Sequence, residues 1–201
     1  MVYKKIIITV IFSSPRENSF SSSMANAFLS GFQASSEISS KIKINKIYLA
    51  KSNISACIDC RVCKNEYKCS IQDDMQHIIK LIVDSDLLLI ATPIYFSGVP
   101  AQLKMLIDRT QILWQKKQRA EITISPKRGV LCCAAGSNYK SAFTATFIIM
   151  KHFFNTMNTS FDENQSLLFE NTDSFTDIPK HISEYAIEAG KKYFKELMKE
   201  T

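Results

Sequence analysis

Apolar residues fall in short dense runs, and the stretches between them repeat at helical spacing. Residues 3–12, 86–92 and 128–135 are nearly continuous apolar runs. Strands covered on both faces of a parallel sheet read this way. Residues 41–49 alternate instead, with Ile42 and Ile44 set between lysines, and a weaker run lies at 166–169. Helical patterns occupy 19–35, 73–83, 101–115 and 140–157, and a last one opens near Pro179. The second carries Met75, Ile78, Ile79 and Ile82 on one face, with Asp73 and Asp74 where acidic groups complement the helix dipole. The last carries Ile182, Ala186, Ala189, Tyr193 and Leu197 on one stripe.

Strand and helix alternate from end to end. That order predicts an α/β fold, a doubly wound five-stranded parallel sheet of flavodoxin-like order 2-1-3-4-5. No repeat, low-complexity stretch or linker interrupts it, so residues 1–201 are expected to form a single domain. The connection at 50–72, after the second strand, is longer than such loops usually are. Loops of that length are commonly functional.

Composition narrows the function classes. A hydrophobic fraction of 46% and a charged fraction of 22% suit a globular chain. The longest apolar run, residues 130–135, is far below the roughly 18 residues of a membrane span. The opening MVYKKIIITVIFSSPRENS reads as a strand with no cleavage site, so the expected location is the cytoplasm, with no membrane partner. The net charge of +6 favours anionic ligands such as phosphates, but the basic residues are dispersed in pairs and nucleic acid is not expected.

Ligands of open α/β sheets bind beyond the carboxyl ends of the strands. Three loops there are chemically unusual. The first contains Ser13, Ser14, Pro15, Arg16, Glu17, Asn18, Ser19, Phe20 and Ser21. Its hydroxyls, guanidinium and helix N-terminus can hold a terminal phosphate; an ordinary polar turn with a serine cap is the other reading. No GxGxxG or GxxxxGK[ST] is present. The second runs Thr92, Pro93, Ile94, Tyr95, Phe96, Ser97, Gly98, Val99, Pro100. Stiffened by proline, it can offer backbone groups and an aromatic edge to a flat ring, or fill a subunit interface. The third is Ala135, Gly136, Ser137, Asn138, Tyr139. Gly98 and Gly136, two of five glycines, would let a ligand approach the backbone closely.

The long loop holds Cys57, Cys60, Cys63 and Cys69, spaced C-x2-C-x2-C-x5-C. In a reducing compartment such a cluster suggests a metal or redox site before disulfides. Three cysteines at intervals of three resemble a ferredoxin triplet, whereas zinc sites more often use two separated pairs. Free or redox-active thiols are a further reading. Cys132 and Cys133 lie inside a strand and are expected to be inert packing. His77, His152 and His181 share no metal spacing.

Taken together, these motifs resemble the flavodoxin-like NAD(P)H-dependent FMN reductase family, and within it the iron–sulfur flavoproteins. Residues 14–21 resemble a GSPRxxSxT phosphate loop, with Ser13 where that family usually has Gly. Pro93-Ile94-Tyr95-Phe96, followed by Leu103-Lys104 and Asp108-Arg109, resembles its PxYxxxxxxxLKxxxDR segment. The resemblance covers residues 6 to about 159. It implies FMN, with the phosphate at Ser14, Arg16, Asn18, Ser19 and Ser21. The ring would lie at Pro93, Ile94, Tyr95, Phe96, Ser97 and Gly98 and at Gly136, Ser137, Asn138 and Tyr139. It also implies a [4Fe–4S] cluster on Cys57, Cys60, Cys63 and Cys69, and a homodimer or homotetramer.

The function so implied is that of an FMN-dependent oxidoreductase or electron-transfer flavoprotein coupling FMN to the cluster. The cofactor carries the chemistry and the protein positions it. NAD(P)H or ferredoxin would donate electrons to a small-molecule acceptor. Two alternatives stand: a cluster-free NAD(P)H-dependent FMN or quinone reductase, and a non-catalytic zinc-binding module on the same scaffold.

Overall fold

A computed structural model of the chain describes residues 5–35, 42–66, 68–120, 122–139 and 141–200. Lys41 and Lys140, like residues 3 and 4 of the first expected strand, lie outside them. The order is β1 (Ile6–Phe12), α1 (Phe20–Ala34), β2 (Ile42–Tyr48), α2 (Val62–Asn65), α3 (Met75–Val83), β3 (Leu87–Pro93), α4 (Ala101–Arg109), α5 (Gln111–Gln118), β4 (Lys127–Ala134), α6 (Thr144–Thr156), β5 (Thr159–Ser160), β6 (Leu167–Phe169) and α7 (Lys180–Glu200).

The strands form one parallel sheet in the order β2-β1-β3-β4, with β5 and β6 both on the far side of β4. The expected order 2-1-3-4-5 is therefore present, and its fifth lane is split. β5 pairs with Lys127 and Arg128, whereas β6 pairs with Cys132, Cys133 and Ala134. Between them the chain leaves the sheet, and Phe161 packs on Phe154 with ring centroids 4.7 Å apart. The expected helix at 101–115 breaks at Thr110, whose hydroxyl donates to the Ile107 carbonyl at 2.6 Å. Such back-bonding competes with the helical ladder and bends it. The helix expected from 140 starts only at Thr144.

β3 is buried at every position and β1 at all but one, which explains their unbroken apolar sequence. One face of the sheet packs against α1 and α7 through Phe28, Phe32, Tyr193 and Leu197; the other packs against α3, α4 and α6 through Ile78, Ile82, Leu103, Leu106 and Phe153. Cys132 faces the first core and Cys133 the second, and burial pushes both thiols well above their ordinary range. α1 and α7 touch through backbone: a Cβ at Gly31 would lie 2.0 Å from the Ile187 carbonyl oxygen, and one at Gly190 2.0 Å from that of Phe28. Only glycine permits this approach.

Lys127 is a buried charge at the opposite end of β4 from the strand-end loops. Burial pushes its amine down to about 8, partly offset by Asp86 and Asp84. The folded chain thus favours the neutral amine, and this cost is present at neutral pH and falls away between about pH 8 and 10.5. Lys127→Met is expected to stabilise the protein by about 1–2 kcal/mol at pH 7 and to give no gain at pH 10.5. Urea unfolding at the two pH values checks this; an equal gain at both would reject the burial account.

Candidate functional site

The turns after β1, β3 and β4 meet at their carboxyl ends around a cleft of about 400 Å³. Its position at the β1/β3 reversal of strand order is where this architecture places ligands. Eleven of the expected cofactor residues line it: Arg16, Ser19, Ser21, Pro93, Ile94, Tyr95, Phe96, Ser97, Gly136, Ser137 and Tyr139. Ser14, Asn18, Gly98 and Asn138 are not among its wall residues. Ser14 shapes the loop from within, its hydroxyl accepting from the Arg16 amide at 3.1 Å. Ser13 has no positive φ and bonds the Ala91 carbonyl through both amide and hydroxyl, so serine serves there without strain.

Ser19 caps α1, accepting from the Ser22 amide, and its hydroxyl lies 3.2 Å from that of Ser21 and 2.8 Å from that of Ser22. These hydroxyls, the α1 N-terminus and Arg16 form one anion-seeking corner. The opposite wall is the Pro93–Gly98 turn. Tyr95 and Gly98 exchange both backbone hydrogen bonds, at 2.9 and 3.0 Å, across Phe96 and Ser97. Both central residues are left-handed, at φ 48° and 63°. Asn-Gly is the usual choice there, and a non-glycine residue costs about 1–2 kcal/mol. Two ties hold the turn: the Ile94 amide on the Ala134 carbonyl at 2.8 Å, and Ser97 Oγ against Tyr139 Oη at 2.7 Å. Strain held in place by its surroundings is common at binding sites.

At Gly98 the nearest protein atom to a built Cβ is the Tyr95 carbonyl oxygen at 3.9 Å, so the protein itself leaves room for a side chain there. At Gly136 a Cβ would lie 2.7 Å from the Asp173 carboxylate, so a larger residue there would make that side chain shift. Asp173 and Thr172 complete the cleft together with Phe20, Ala134 and Ala135, none of which the sequence singled out as cofactor contacts. Phe20 and Ala135 adjoin the expected residues. Thr172 and Asp173 follow β6 and reach the cleft only through the sheet, by hydrogen bonds from their amides to the Ala135 and Gly136 carbonyls.

A second cavity, of about 450 Å³, shares no lining residue with the first. Cys57, Cys60, Cys63 and Cys69 all line it, with Arg109, Ile112 and Trp114 on the helical side. Asp59 and Arg61 are left-handed, at φ 47° and 60°, and turn the chain on either side of Cys60. The Ser70 hydroxyl, 2.9 Å from Cys60 Sγ, and then the Val62 backbone lower the Cys60 thiol. Burial, followed by the charges of Cys57, Cys60 and Cys69, raises that of Cys63. Among the described residues, no three His, Cys, Asp or Glu side chains converge on a single ion position.

The base of the cysteine loop is closed by a buried ion pair. Arg109 Nη1 donates to Asp73 Oδ2 at 2.8 Å and to the Ser55 carbonyl at 2.9 Å; Nη2 donates to Asp73 Oδ1 at 3.1 Å and to the Ile71 carbonyl at 3.2 Å. Their side chains are 1% and 3% exposed, so the pair is shielded from water. Asp73 also accepts from the Ser55 and Met75 amides. Burial raises its carboxyl, but the Arg109 bond, those amides and the Arg109 charge together hold it below the usual carboxylate range. Asp73 is thus a counter-ion, more than the dipole partner its place before α3 suggested.

Residues 6–155 match the NADPH-dependent FMN reductase family. The chain belongs to this family. Among its relatives, an iron–sulfur flavoprotein of Methanocaldococcus jannaschii is 44% identical over 72 residues, 36% of this chain and 37% of that one. Another, from Archaeoglobus fulgidus, is 31% identical over 99 residues, 49% of this chain and 43% of that one. The chain thus matches less than half the length of either relative. The fold is shared with an NAD(P)H:quinone oxidoreductase from Methanothermobacter marburgensis (TM-score 0.66, 18% identity, 96% of both chains). It is also shared with an FMN-dependent NADH-azoreductase from Bacillus anthracis (TM-score 0.63, 14% identity, 96% of this chain and 99% of that one). Among the described residues no helix is long and apolar enough to cross a membrane.

Proposed function

We propose that this chain is an FMN-dependent oxidoreductase whose cysteine loop carries a [4Fe–4S] cluster. One observation carries the reading: α4 joins two separate cavities of different chemistry. It begins at Ala101, just after the turn that walls the phosphate-seeking cleft, and ends at Arg109 beneath the four cysteines.

The cleft fits FMN. Arg16, Ser19, Ser21 and the α1 N-terminus supply charge and donors for a terminal phosphate. Pro93, Ile94, Tyr95, Phe96 and Ser97 supply a pinned wall for a flat ring, and Gly136, Ser137 and Tyr139 line the same cleft. Ser14, Asn18, Gly98 and Asn138, which neighbour these lining residues in the same loops, complete the proposed cofactor contacts. The cysteine cavity fits a cluster better than zinc. Zinc sites more often use two separated cysteine pairs, whereas this loop carries a C-x2-C-x2-C triplet with a fourth cysteine close behind. Four cysteines around one larger cavity suit a multi-iron core.

When bound, FMN supplies hydride and single-electron chemistry and the cluster single-electron chemistry. The chain binds, orients and shields them. With no GxGxxG segment, an NAD(P)H donor would dock transiently at the open cleft; ferredoxin is the other donor class, with a small-molecule acceptor. A homodimer or homotetramer and a cytoplasmic location complete the proposal. The test is anaerobic mixing of NADH or NADPH with the FMN-loaded chain. Bleaching of the bound flavin within seconds by either nucleotide is expected. Flavin that neither nucleotide nor reduced ferredoxin reduces would reject the oxidoreductase reading.

A further inference from the structure

We infer that Arg109 is the positioning residue of the cysteine loop: it locks both ends of the loop and presents a buried positive charge to the sulfurs. The inference rests on the proposed cluster. The Asn53 amide donates to the Asp74 carboxylate at 2.7 Å, and the Asp74 amide donates to the Asn53 carbonyl at 3.1 Å. Directly inside that pair, the Arg109 fork reaches Ser55 on one arm and Ile71 and Asp73 on the other. All four cysteines lie between these anchors in sequence, so the fork fixes where the ligand-bearing arc starts and stops.

Stability alone does not account for such a pair. A buried ion pair is often no better than apolar residues of the same volume, because desolvation offsets the attraction. Arg109 does more than neutralise Asp73. It lines the cysteine cavity, Cys69 lies within its reach, and its Nε is buried with no hydrogen-bond partner among the described residues. The other cations on that wall, Arg61 and Lys64, are exposed and screened by solvent. Thiolate ligation gathers negative charge in this cavity. A shielded guanidinium beside it favours the more reduced state, as N–H and charge contacts around iron–sulfur centres do.

Two variants separate geometry from charge in the full chain, reconstituted anaerobically with iron and sulfide. Arg109→Lys keeps a cation but loses the fork. Arg109→Gln keeps a donor but loses the charge. The readouts are iron release to a chelator, cluster midpoint potential, FMN affinity, and fluorescence of Trp114, the chain's one tryptophan and a wall residue of this cavity. For Arg109→Lys, iron release at least tenfold faster is expected, with Trp114 emission altered and FMN affinity within twofold of wild type. For Arg109→Gln, a midpoint potential below that of both the wild type and the lysine variant is expected. If the glutamine variant does not fold, the lysine variant decides. Wild-type iron retention and potential in the variants would overturn the inference and leave the cluster reading intact. A wild-type chain that takes up no iron would overturn the cluster reading instead. The clamp is then decided by amide exchange in the metal-free chain: tenfold faster exchange at Ser55 and Met75 in Arg109→Lys supports it, and unchanged exchange removes it.

Discussion

Cys60→Ala is expected to lower the iron of the anaerobically reconstituted chain from about four per chain to less than one, while FMN stays bound. Cys60 is the middle cysteine of the triplet, flanked by two left-handed residues that aim the chain around it. No other cysteine can take its place, because Cys132 and Cys133 are locked in the paired interior of β4. FMN is expected to remain because the two cavities share no residue. Cys132→Ala is the control and should keep full iron. Equal iron in Cys60→Ala and wild type, or one tightly held zinc in the wild type, would remove the cluster from the account.

Asp73→Ala should cost about 3–5 kcal/mol, the largest stability loss expected of any single substitution near the loop. It leaves the Arg109 guanidinium buried without a counter-charge and frees the Ser55 and Met75 amides. The sign of the pH dependence follows from the carboxyl, which folding holds below its usual range. The wild-type advantage is complete above the unfolded carboxylate pKa, about 4, and is lost as pH falls through the lower folded value. Urea unfolding of both proteins at pH 7 and pH 3 measures it. A difference under about 0.5 kcal/mol at pH 7 would mean that the pair does not hold the loop.

The fold was largely legible because both determinants are local. Continuous apolar runs marked β1, β3 and β4, and helical spacing marked α1, α3 and α7. The split fifth lane was not legible. β5 is only Thr159–Ser160, too short for a two-residue period to register. Nor was the break at Thr110, which one hydroxyl bond decides. In the site, residues adjoining a strand end could be named because the architecture fixes where strands end. Asp173 and Thr172 could not, since sheet packing brings them from a segment far along the chain. Arg109 was visible as part of a motif, but its burial against Asp73, 36 residues away, was not. A buried charge becomes recognisable only when its partner is placed beside it.

The cleft between β1, β3 and β4 is proposed to bind FMN by its phosphate. Equilibrium titration of the flavin-free chain with FMN and with riboflavin, in wild type and Arg16→Ala, tests it most directly. One FMN per wild-type chain is expected, with riboflavin binding at least tenfold weaker. Arg16→Ala is expected to lose FMN affinity by roughly ten- to a hundred-fold, the worth of a charge-assisted hydrogen bond. No FMN binding, or equal affinity for FMN and riboflavin that Arg16→Ala leaves unchanged, would contradict it.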